Sequence, residues 1–240
     1  MPKKLKVDLH IHTAEETLET IKHNAFDLID AAGKKGFDVL SITNHNIVAH
    51  SEELAHYAEE KGILLIPGME MTLSNKHVLI INPDFTKGSF NRPLTDLANI
   101  KNDNNLIIAP HPFFPSFNSL RSQLLPFIEF FDAIEFSHYY NHYVNCNKKA
   151  LEIAHQYRKP LIGTSDCHFL NKFGTNFSLV EAEKDTQSII TAIKKGKIEV
   201  FSSPLSLLSM TFMAINLFLL KRKKITSRIR AIPSKGTSED

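Results

Sequence analysis

The heptapeptide Val7-Asp8-Leu9-His10-Ile11-His12-Thr13 lies near the start of the chain and contains two histidines separated by one apolar residue. Side chains alternate between the two faces of a strand, so His10 and His12 share one face while Leu9 and Ile11 occupy the other. Two imidazoles on one face can bind the same metal ion. The pair alone is a weak signal, because 12 histidines in 240 residues produce this spacing readily by chance.

Short apolar segments rich in β-branched residues follow this strand and alternate with longer amphipathic segments. The alternation predicts an α/β fold in which parallel strands are joined by crossover helices. The predicted strands are residues 6–12, 37–43, 63–67, 78–81, 106–109, 133–136, 161–164 and 178–182. The predicted helices are residues 25–35, 51–61, 94–101, 120–130, 147–157 and 186–195. A chain of 240 residues is long enough for one such domain with a full core.

Residues with imidazole or carboxylate side chains end or follow six of these strands. They are His10 with His12, His45, Glu70, His111, His138, and Asp166 with His168. The C-terminal ends of parallel strands share one face, where active sites are assembled. Each residue alone has an ordinary explanation as a surface loop residue, but six coincidences together favour a site. Imidazole and carboxylate ligands without thiolates suit zinc, manganese or iron, and their number exceeds the needs of one tetrahedral ion. We therefore expect two or three divalent ions.

Two of these segments carry further information. In APHP (109–112) two prolines flank His111 and keep its backbone out of a helix. In TSDCH (164–168) the carboxylate and imidazole repeat the i, i+2 spacing, and Cys167 points elsewhere. A thiol nucleophile at Cys167 is an alternative, although no separate base is identifiable for it. His138 lies in the stretch SHYYNHY, which could equally form a wall that binds substrate.

The distribution of charge separates the body of the chain from its C-terminal end. The whole chain has 28 basic and 26 acidic side chains, but seven of the basic ones fall in residues 221–240, which leaves a net charge of −3 on residues 1–220. A body of this charge predicts no general binding of duplex nucleic acid, although a short nucleotide remains a candidate substrate. The two cysteines form no pair motif, and the N-terminus lacks the apolar region of a secretory signal, so we expect a cytoplasmic protein.

The motifs DLHIHT, ITNH, PGME, HVLIIN, APHP and GTSDCH occur in this order between Val7 and Phe201. In order and spacing they resemble the polymerase and histidinol phosphatase (PHP) superfamily. The resemblance implies a distorted seven-stranded (β/α)7 TIM-like barrel, a site for three metal ions and the hydrolysis of phosphoesters.

Carried over residue by residue, the resemblance implies three groups of ligands. One ion would lie among His10, His12, Glu70 and Asp166; Glu70 would bridge to a second ion held by His77 and His111; a third would use His45 and His168. His77 opens a predicted strand and is included on the resemblance alone. The family's ligand shortly after the paired histidines is not at its customary spacing, and Glu15 and Glu16 are the candidates to replace it. The usual aspartate before His45 is Asn44 here.

These expectations define a function and its alternatives. We expect a metal-dependent phosphoesterase that acts on a phosphomonoester or a short nucleotide phosphoester through metal-activated water. His168 or His138 would protonate the leaving group. Cations after strands would bind the substrate phosphate, namely Arg92, Arg121 and Lys172, whereas Lys194 precedes a strand and should lie on the opposite face. The alternatives are a metal-dependent amidohydrolase and a non-catalytic metal-binding scaffold at a membrane.

The C-terminal segment differs from the rest of the chain. We expect a catalytic barrel over residues 1–203, an apolar helix with a basic flank over 204–224 and a disordered basic tail over 225–240. Residues 205–220 are mostly apolar, yet shorter than a typical membrane span. Residues 205–230 could attach to an anionic membrane surface on the cytoplasmic side, dock on the chain's own domain or a partner subunit, or span the bilayer. The sequence leaves the oligomeric state open.

Overall fold

The computed structural model describes residues 4–16, 18–85, 91–206, 208 and 209 of the chain. Its strands form two five-stranded sheets. The first sheet contains, in spatial order, β10 (Ile198–Ser202), β9 (Asn176–Glu181), β1 (Lys4–Ile11), β2 (Val39–Ile42) and β3 (Leu64–Leu65). The second contains β4 (Gly68–Leu73), β5 (Lys76–Ile81), β6 (Leu106–Ala109), β7 (Ala133–Phe136) and β8 (Leu161–Gly163).

The α-helices follow the amphipathic segments of the sequence. They are α1 (Ala25–Lys34), α2 (Glu52–Glu60), α3 (Leu97–Ile100), α4 (Lys148–Gln156) and α5 (Thr186–Lys194). Side chains that accept from the first free backbone N–H groups fix the start of three of them. Asn24 and Asp27 form a capping box at α1, Ser51 caps α2 and Asp185 caps α5. Polar caps followed by buried apolar faces explain why these predicted helices were placed to within a residue or two.

The prediction of a (β/α)7 barrel is wrong, because the structure consists of two mixed sheets. Four of the eight pairings between strands are antiparallel, whereas an all-parallel barrel has none. Residues 68–73, expected to be a loop, form β4 and pair with β5 through a tight turn in which Ser74 and Asn75 both have positive φ. Such a turn permits only an antiparallel hairpin. At the other end of the chain, β9 runs antiparallel to both β1 and β10.

Two predicted helices are also shorter or tighter than expected. Residues 120–130 form two 3-10 helices, Arg121–Gln123 and Leu125–Phe130, instead of one α-helix. Pro126 lacks an N–H and lies within this segment, so it interrupts the α-helical hydrogen-bond pattern. Residues 94–101 form the 3-10 turn Leu94–Asp96 followed by the single turn of α3. A further 3-10 turn spans Leu170–Lys172.

Isolated bridges join the two sheets next to the paired histidines. The backbone N–H of His12 donates to the carbonyl oxygen of Cys167 at 3.1 Å, and the N–H of Glu70 donates to the carbonyl oxygen of Thr43 at 3.2 Å. A buried apolar cluster also draws on both sheets, with Val7 and Val39 from the first and Ile108 from the second. The ends of β1, β2, β6 and β8 therefore meet in one region, together with the start of β5.

The predicted C-terminal apolar helix lies largely outside the described residues, which include only Pro204, Leu205, Ser206, Leu208 and Ser209 of that segment. The predicted basic tail lies outside them altogether. Within the part of the chain that the structure describes, no helix has the length and hydropathy needed to cross a membrane.

Candidate metal centre

Five buried histidines and three buried carboxylates meet where the two sheets join. They are His10, His12, His45, His77, His111, Glu16, Glu70 and Asp166. His77 belongs to this set because β5 is antiparallel to β6, so the start of β5 lies beside the end of β6. The described residues provide five groups of three side chains whose ligand atoms lie within 4.8 Å of one another.

The first group contains the paired histidines. The Nε2 atoms of His10 and His12 lie 3.2 Å apart. Oε2 of Glu70 lies 3.5 Å from the His10 atom and 3.3 Å from the His12 atom. Oδ1 of Asp166 lies 3.4 Å from each of the same two nitrogens. Carboxylate oxygens from two other segments thus lie close to both nitrogens of the histidine pair.

These five distances are typical of ligands that share one metal ion. Zinc bonds to nitrogen and oxygen of about 2.0–2.1 Å give ligand-to-ligand distances of about 3.3–3.4 Å. Charge-assisted hydrogen bonds are shorter, at about 2.7–2.9 Å. Two imidazole nitrogens facing each other at 3.2 Å are also a poor pair unless a cation or proton lies between them. The donor set therefore fits a divalent ion.

Glu70 connects this group to a second one. Its Oε1 atom lies 2.7 Å from Nδ1 of His77 and 3.3 Å from Nε2 of His111. Its Oε2 atom, already within the first group, lies 3.2 Å from Nε2 of His45. One fully buried carboxylate therefore contacts histidines on both of its oxygens, the arrangement expected of a bridging ligand.

A third group surrounds Glu16. Oε2 of Glu16 lies 2.7 Å from Nδ1 of His45 and 3.4 Å from Nδ1 of His12. Glu15, the other residue predicted for this position, is exposed, and its Oε1 atom accepts from the backbone N–H of Ala25. The structure brings Glu16 to the cluster and leaves Glu15 outside it. Asn44 bonds both the backbone and the hydroxyl of Thr13, so it anchors the loop after β1.

His168 lies at the rim of the cluster. Its ring centroid is 4.5 Å from that of His12. Its Nδ1 atom lies 2.9 Å from the carbonyl oxygen of Asp166, and its Nε2 atom lies 2.9 Å from Oε2 of Glu19. Sequence reasoning missed Glu19, because it lies in a polar loop without a spacing signal. A half-exposed carboxylate thus pairs with the outermost histidine.

Charge within the cluster is balanced by the pairing of imidazoles with carboxylates. Burial alone would lower the pKa of His10 and His12, but the carboxylates of Asp166 and Glu70 outweigh burial and raise both pKa values well above their ordinary range. Burial alone would raise the pKa of Glu70 and Asp166, but the surrounding histidines hold both well below their ordinary range. The carboxylates thus favour positive charge on these rings, as they would favour divalent cations in the same place.

Two ligand-type residues have unusual backbone conformations. His111 has φ of 28° and Asp166 has φ of 45°. Positive φ is costly for residues with a Cβ and is found mainly where the surrounding structure imposes it, often at functional sites. The prolines on either side of His111 constrain its backbone, and the bridge between Ile11 and Cys167 constrains the backbone next to Asp166.

The structure adds three residues that sequence reasoning did not select, of which Asp8 and Glu135 are buried and Tyr139 is partly buried. Oδ1 of Asp8 accepts from the backbone N–H groups of His10 and Ser165, and burial raises the pKa of Asp8 to about 7. The hydroxyl of Tyr139 donates to Oδ2 of Asp166 at 2.8 Å. Glu135 lies fully buried in β7, with its Oε1 atom 3.4 Å from Nδ1 of His10. An acidic residue inside an otherwise apolar strand was the available signal for Glu135.

The two remaining catalytic candidates differ in their surroundings. His138 contacts the ring of Tyr139, its buried Nδ1 atom has no hydrogen-bond partner among the described residues, and burial lowers its pKa to about 4. Cys167 is buried, its Sγ atom lies 3.3 Å from the carbonyl oxygen of Phe169, and burial raises its pKa. A neutral buried thiol is a poor nucleophile, so the geometry disfavours the thiol alternative.

The three cations predicted to bind phosphate lie on loops and differ in their contacts. Nε of Arg92 donates to Asp96 in an ion pair of 2.5 Å. Arg121 is exposed beside the loop that carries His111. Its backbone N–H donates to the carbonyl oxygen of Pro112 in that loop. Nζ of Lys172 lies 3.3 Å from the hydroxyl of Ser209. The structure brings none of these three side chains into the groups described above.

Comparisons with known proteins agree with this arrangement. The family model described as PHP-associated matches residues 145–198. An uncharacterized protein of Methanocaldococcus jannaschii is 29% identical over 143 residues, which cover 54% of this chain and 82% of that protein.

Two solved structures share the fold. A two-domain protein of Bacteroides vulgatus that contains a predicted PHP-like metal-dependent phosphoesterase matches with a TM-score of 0.67 and 20% identity, over 84% of this chain and 65% of that one. The lesion-specific Endonuclease Q of Pyrococcus furiosus matches with a TM-score of 0.56 and 18% identity, over 82% of this chain and 57% of that one. This chain thus spans about two thirds or less of each.

The comparison with Endonuclease Q corrects one prediction. That enzyme is also solved in complex with a 27-mer duplex substrate that has an abasic lesion at the active site. The exclusion of duplex nucleic acid is therefore wrong, because a protein of this fold accommodates a duplex. A net charge averages over the whole surface and does not describe the face around the site.

The PHP-associated segment and the shared fold confirm the resemblance of this chain to the polymerase and histidinol phosphatase superfamily that the motifs indicate.

Proposed function

We propose that this chain is a metal-dependent hydrolase that cleaves phosphoester bonds. The observation that carries the proposal is the convergence of His10, His12, Glu70 and Asp166. The paired histidine nitrogens lie 3.2 Å apart, and each lies 3.3–3.5 Å from one oxygen of Glu70 and one of Asp166, the spacing of ligands around one ion. The PHP-like phosphoesterase and endonuclease among the proteins of this fold support phosphorus as the centre attacked.

The described residues offer places for two or three ions. His10, His12, Glu70 and Asp166 would hold the first, and Glu70 would bridge to a second beside His77 and His111. Glu16, His45 and His168 are the donors left for a third. Nitrogen and carboxylate donors without thiolates suit zinc, manganese or iron. Such ions supply Lewis-acid chemistry, in which they activate water and neutralise charge on a phosphoryl group.

The chain's own residues would orient the substrate and move one proton. If two ions are bound and His168 is not a ligand, it lies at the rim between Asp166 and Glu19 and can deliver a proton to a leaving oxygen. His138 is the second candidate, because its buried Nδ1 atom has no hydrogen-bond partner in the described part of the chain. The stacked pair of Tyr139 and Phe114, with ring centroids 3.9 Å apart, would exclude water from the side of Asp166.

The test is phosphate release from a panel of phosphomonoesters, with dinucleotides and an abasic duplex as separate arms. We expect at least one arm to be cleaved in the presence of zinc or manganese, and cleavage to stop after chelation and in His12→Ala. His56→Ala is the matched control, because His56 is exposed on α2. Metal-loaded protein that cleaves no arm, or His12→Ala with full activity, would refute the proposal.

A further inference from the structure

We propose that Glu135 is a positioning residue that fixes the ring of His10 so that its Nε2 atom faces the metal centre. The inference rests on the metal binding proposed above. Glu135 is the buried acidic residue of β7, and none of the five ligand groups formed by the described residues includes it.

Each oxygen of Glu135 contacts a segment that leads to a proposed ligand. Oε2 accepts from the backbone N–H of His111, and Oε1 accepts from the hydroxyl of Thr164, which precedes Asp166 by two residues. Oε1 also lies 3.4 Å from Nδ1 of His10. Three segments more than fifty residues apart in sequence therefore depend on one carboxylate.

The chemistry of imidazole explains why this contact matters. A neutral histidine carries its proton on one nitrogen, and the hydrogen bond of that nitrogen determines which tautomer is present. A carboxylate at Nδ1 favours the proton there, which leaves the lone pair of Nε2 free. It is Nε2 of His10 that lies between His12, Glu70 and Asp166. Carboxylates behind metal-bound histidines have this role in general.

Glu135→Gln tests the role with little change of shape. An amide has one acceptor oxygen and one donor nitrogen. If the oxygen keeps the bond to the N–H of His111, the NH2 group faces Thr164 and Nδ1 of His10. The hydroxyl of Thr164 can rotate and accept from the NH2 group. Nδ1 of His10 must accept from that group as well, so the proton of His10 moves to Nε2. That proton would point into the cluster and oppose metal binding.

The measurement is metal affinity, determined by competition with a chromophoric chelator, together with the melting temperature of the metal-free protein. For Glu135→Gln we expect affinity to fall about 10–100-fold, as for other residues behind metal ligands, while the metal-free protein still melts cooperatively. Asn105→Ala is the matched control, because Asn105 is equally buried but bonds to the backbone of Asn102 and Ile100. It should lose stability and keep wild-type affinity.

A second variant guards against misfolding of the first. Thr164→Val removes the hydroxyl that donates to Glu135 and keeps the shape of the side chain. We expect a smaller loss of affinity, and a double variant whose loss is less than the product of the two. Wild-type affinity in both Glu135→Gln and Thr164→Val would overturn the inference while the proposed function stands. Absence of metal binding in the wild type would instead refute the proposed function.

Discussion

Oε2 of Glu16 lies 2.7 Å from both the backbone nitrogen and the Nδ1 atom of His45. This double contact holds the imidazole in one orientation, with its Nε2 atom directed at Oε2 of Glu70, 3.2 Å away. Glu16 therefore controls where His45 points, whether or not it also contacts an ion. The loop that carries Glu16 is anchored by Asn44 through Thr13.

Glu16→Ala should weaken metal binding because it frees the ring of His45. We expect a loss of affinity of about 10–100-fold for the most weakly held ion, with a parallel loss of activity. Glu15→Ala is the control, because Glu15 is the neighbour of Glu16 in sequence but is exposed and lies outside the cluster. Metal content by mass spectrometry after dialysis checks both variants. Equal metal content in the two would contradict the role of Glu16.

The choice between Glu15 and Glu16 shows where sequence reasoning reaches its limit. The ends of parallel strands placed His10, His45 and Asp166 on one face, because strand direction alone fixes that face. The two glutamates are adjacent in a loop, where no period determines which side chain points inward. Glu135 was missed for another reason: its strand was predicted correctly, but the partner behind a ligand leaves no spacing pattern in the sequence.

The error in the fold has a similar cause. The segments that became β1, β2, β6, β7 and β8 have strong apolar patterns and were located from sequence. Pro67 and Gly68 before Glu70 predict a turn, so the sequence favours a loop over residues 68–73. The antiparallel hairpin depends on the positive φ values of Ser74 and Asn75. Serine is not among the residues that favour positive φ, so the sequence does not indicate this turn. The unrecognised turn accounts for the antiparallel pairings of β5 with β4 and β6, and the reversed direction of β9 accounts for the other two.

Removal of metal should lower thermal stability. Ions that bind the folded cluster and not the unfolded chain stabilise by about 2.7 kcal/mol when present at 100 times their dissociation constant. For a chain of this size that corresponds to a fall in Tm of about 5–11 °C on chelation. Differential scanning calorimetry with and without chelator measures it, and added zinc or manganese should restore the original value. If Tm is unchanged in protein whose loss of metal has been measured, the metal does not stabilise the fold.

Two lysines test which face of the molecule meets the substrate. Lys172 follows β8 and lies four residues after His168, whereas Nζ of Lys194 contacts the backbone of Asn102 and Asp103. Reversal of charge in Lys172→Glu should raise KM several-fold, because a phosphate would approach that loop. The same change in Lys194→Glu should leave KM close to that of the wild type. Steady-state kinetics at low salt compares them, and equal effects would contradict this division of the surface.

Replacement of Cys167 should distinguish metal chemistry from thiol chemistry. Cys167→Ala removes a buried thiol and leaves intact the backbone oxygen that accepts from His12. Activity should therefore stay within about threefold of the wild type, since a buried neutral thiol is a poor nucleophile. Asp166→Asn, one position earlier, should abolish activity and reduce metal content. Loss of activity in Cys167→Ala with full metal content would revive the thiol mechanism.

The close approach of β4 to β2 makes Gly68 a test of the fold. A Cβ at Gly68 would lie 2.1 Å from Oγ of Ser41 and 3.0 Å from Cγ2 of Thr43, so Gly68→Ala must push the two strands apart. Overpacking of this kind costs about 1–3 kcal/mol. At Gly33 in α1 the nearest atom is Cβ of Lys61 at 3.5 Å, an ordinary contact, and Gly33→Ala should stabilise by about 0.5–1 kcal/mol. Urea denaturation measures both.

Because Glu70 follows Gly68 by two residues and bonds the backbone of Thr43, Gly68→Ala should also reduce metal affinity, whereas Gly33→Ala should not. Equal stability of the two variants would mean that β4 does not pack against β2 as described.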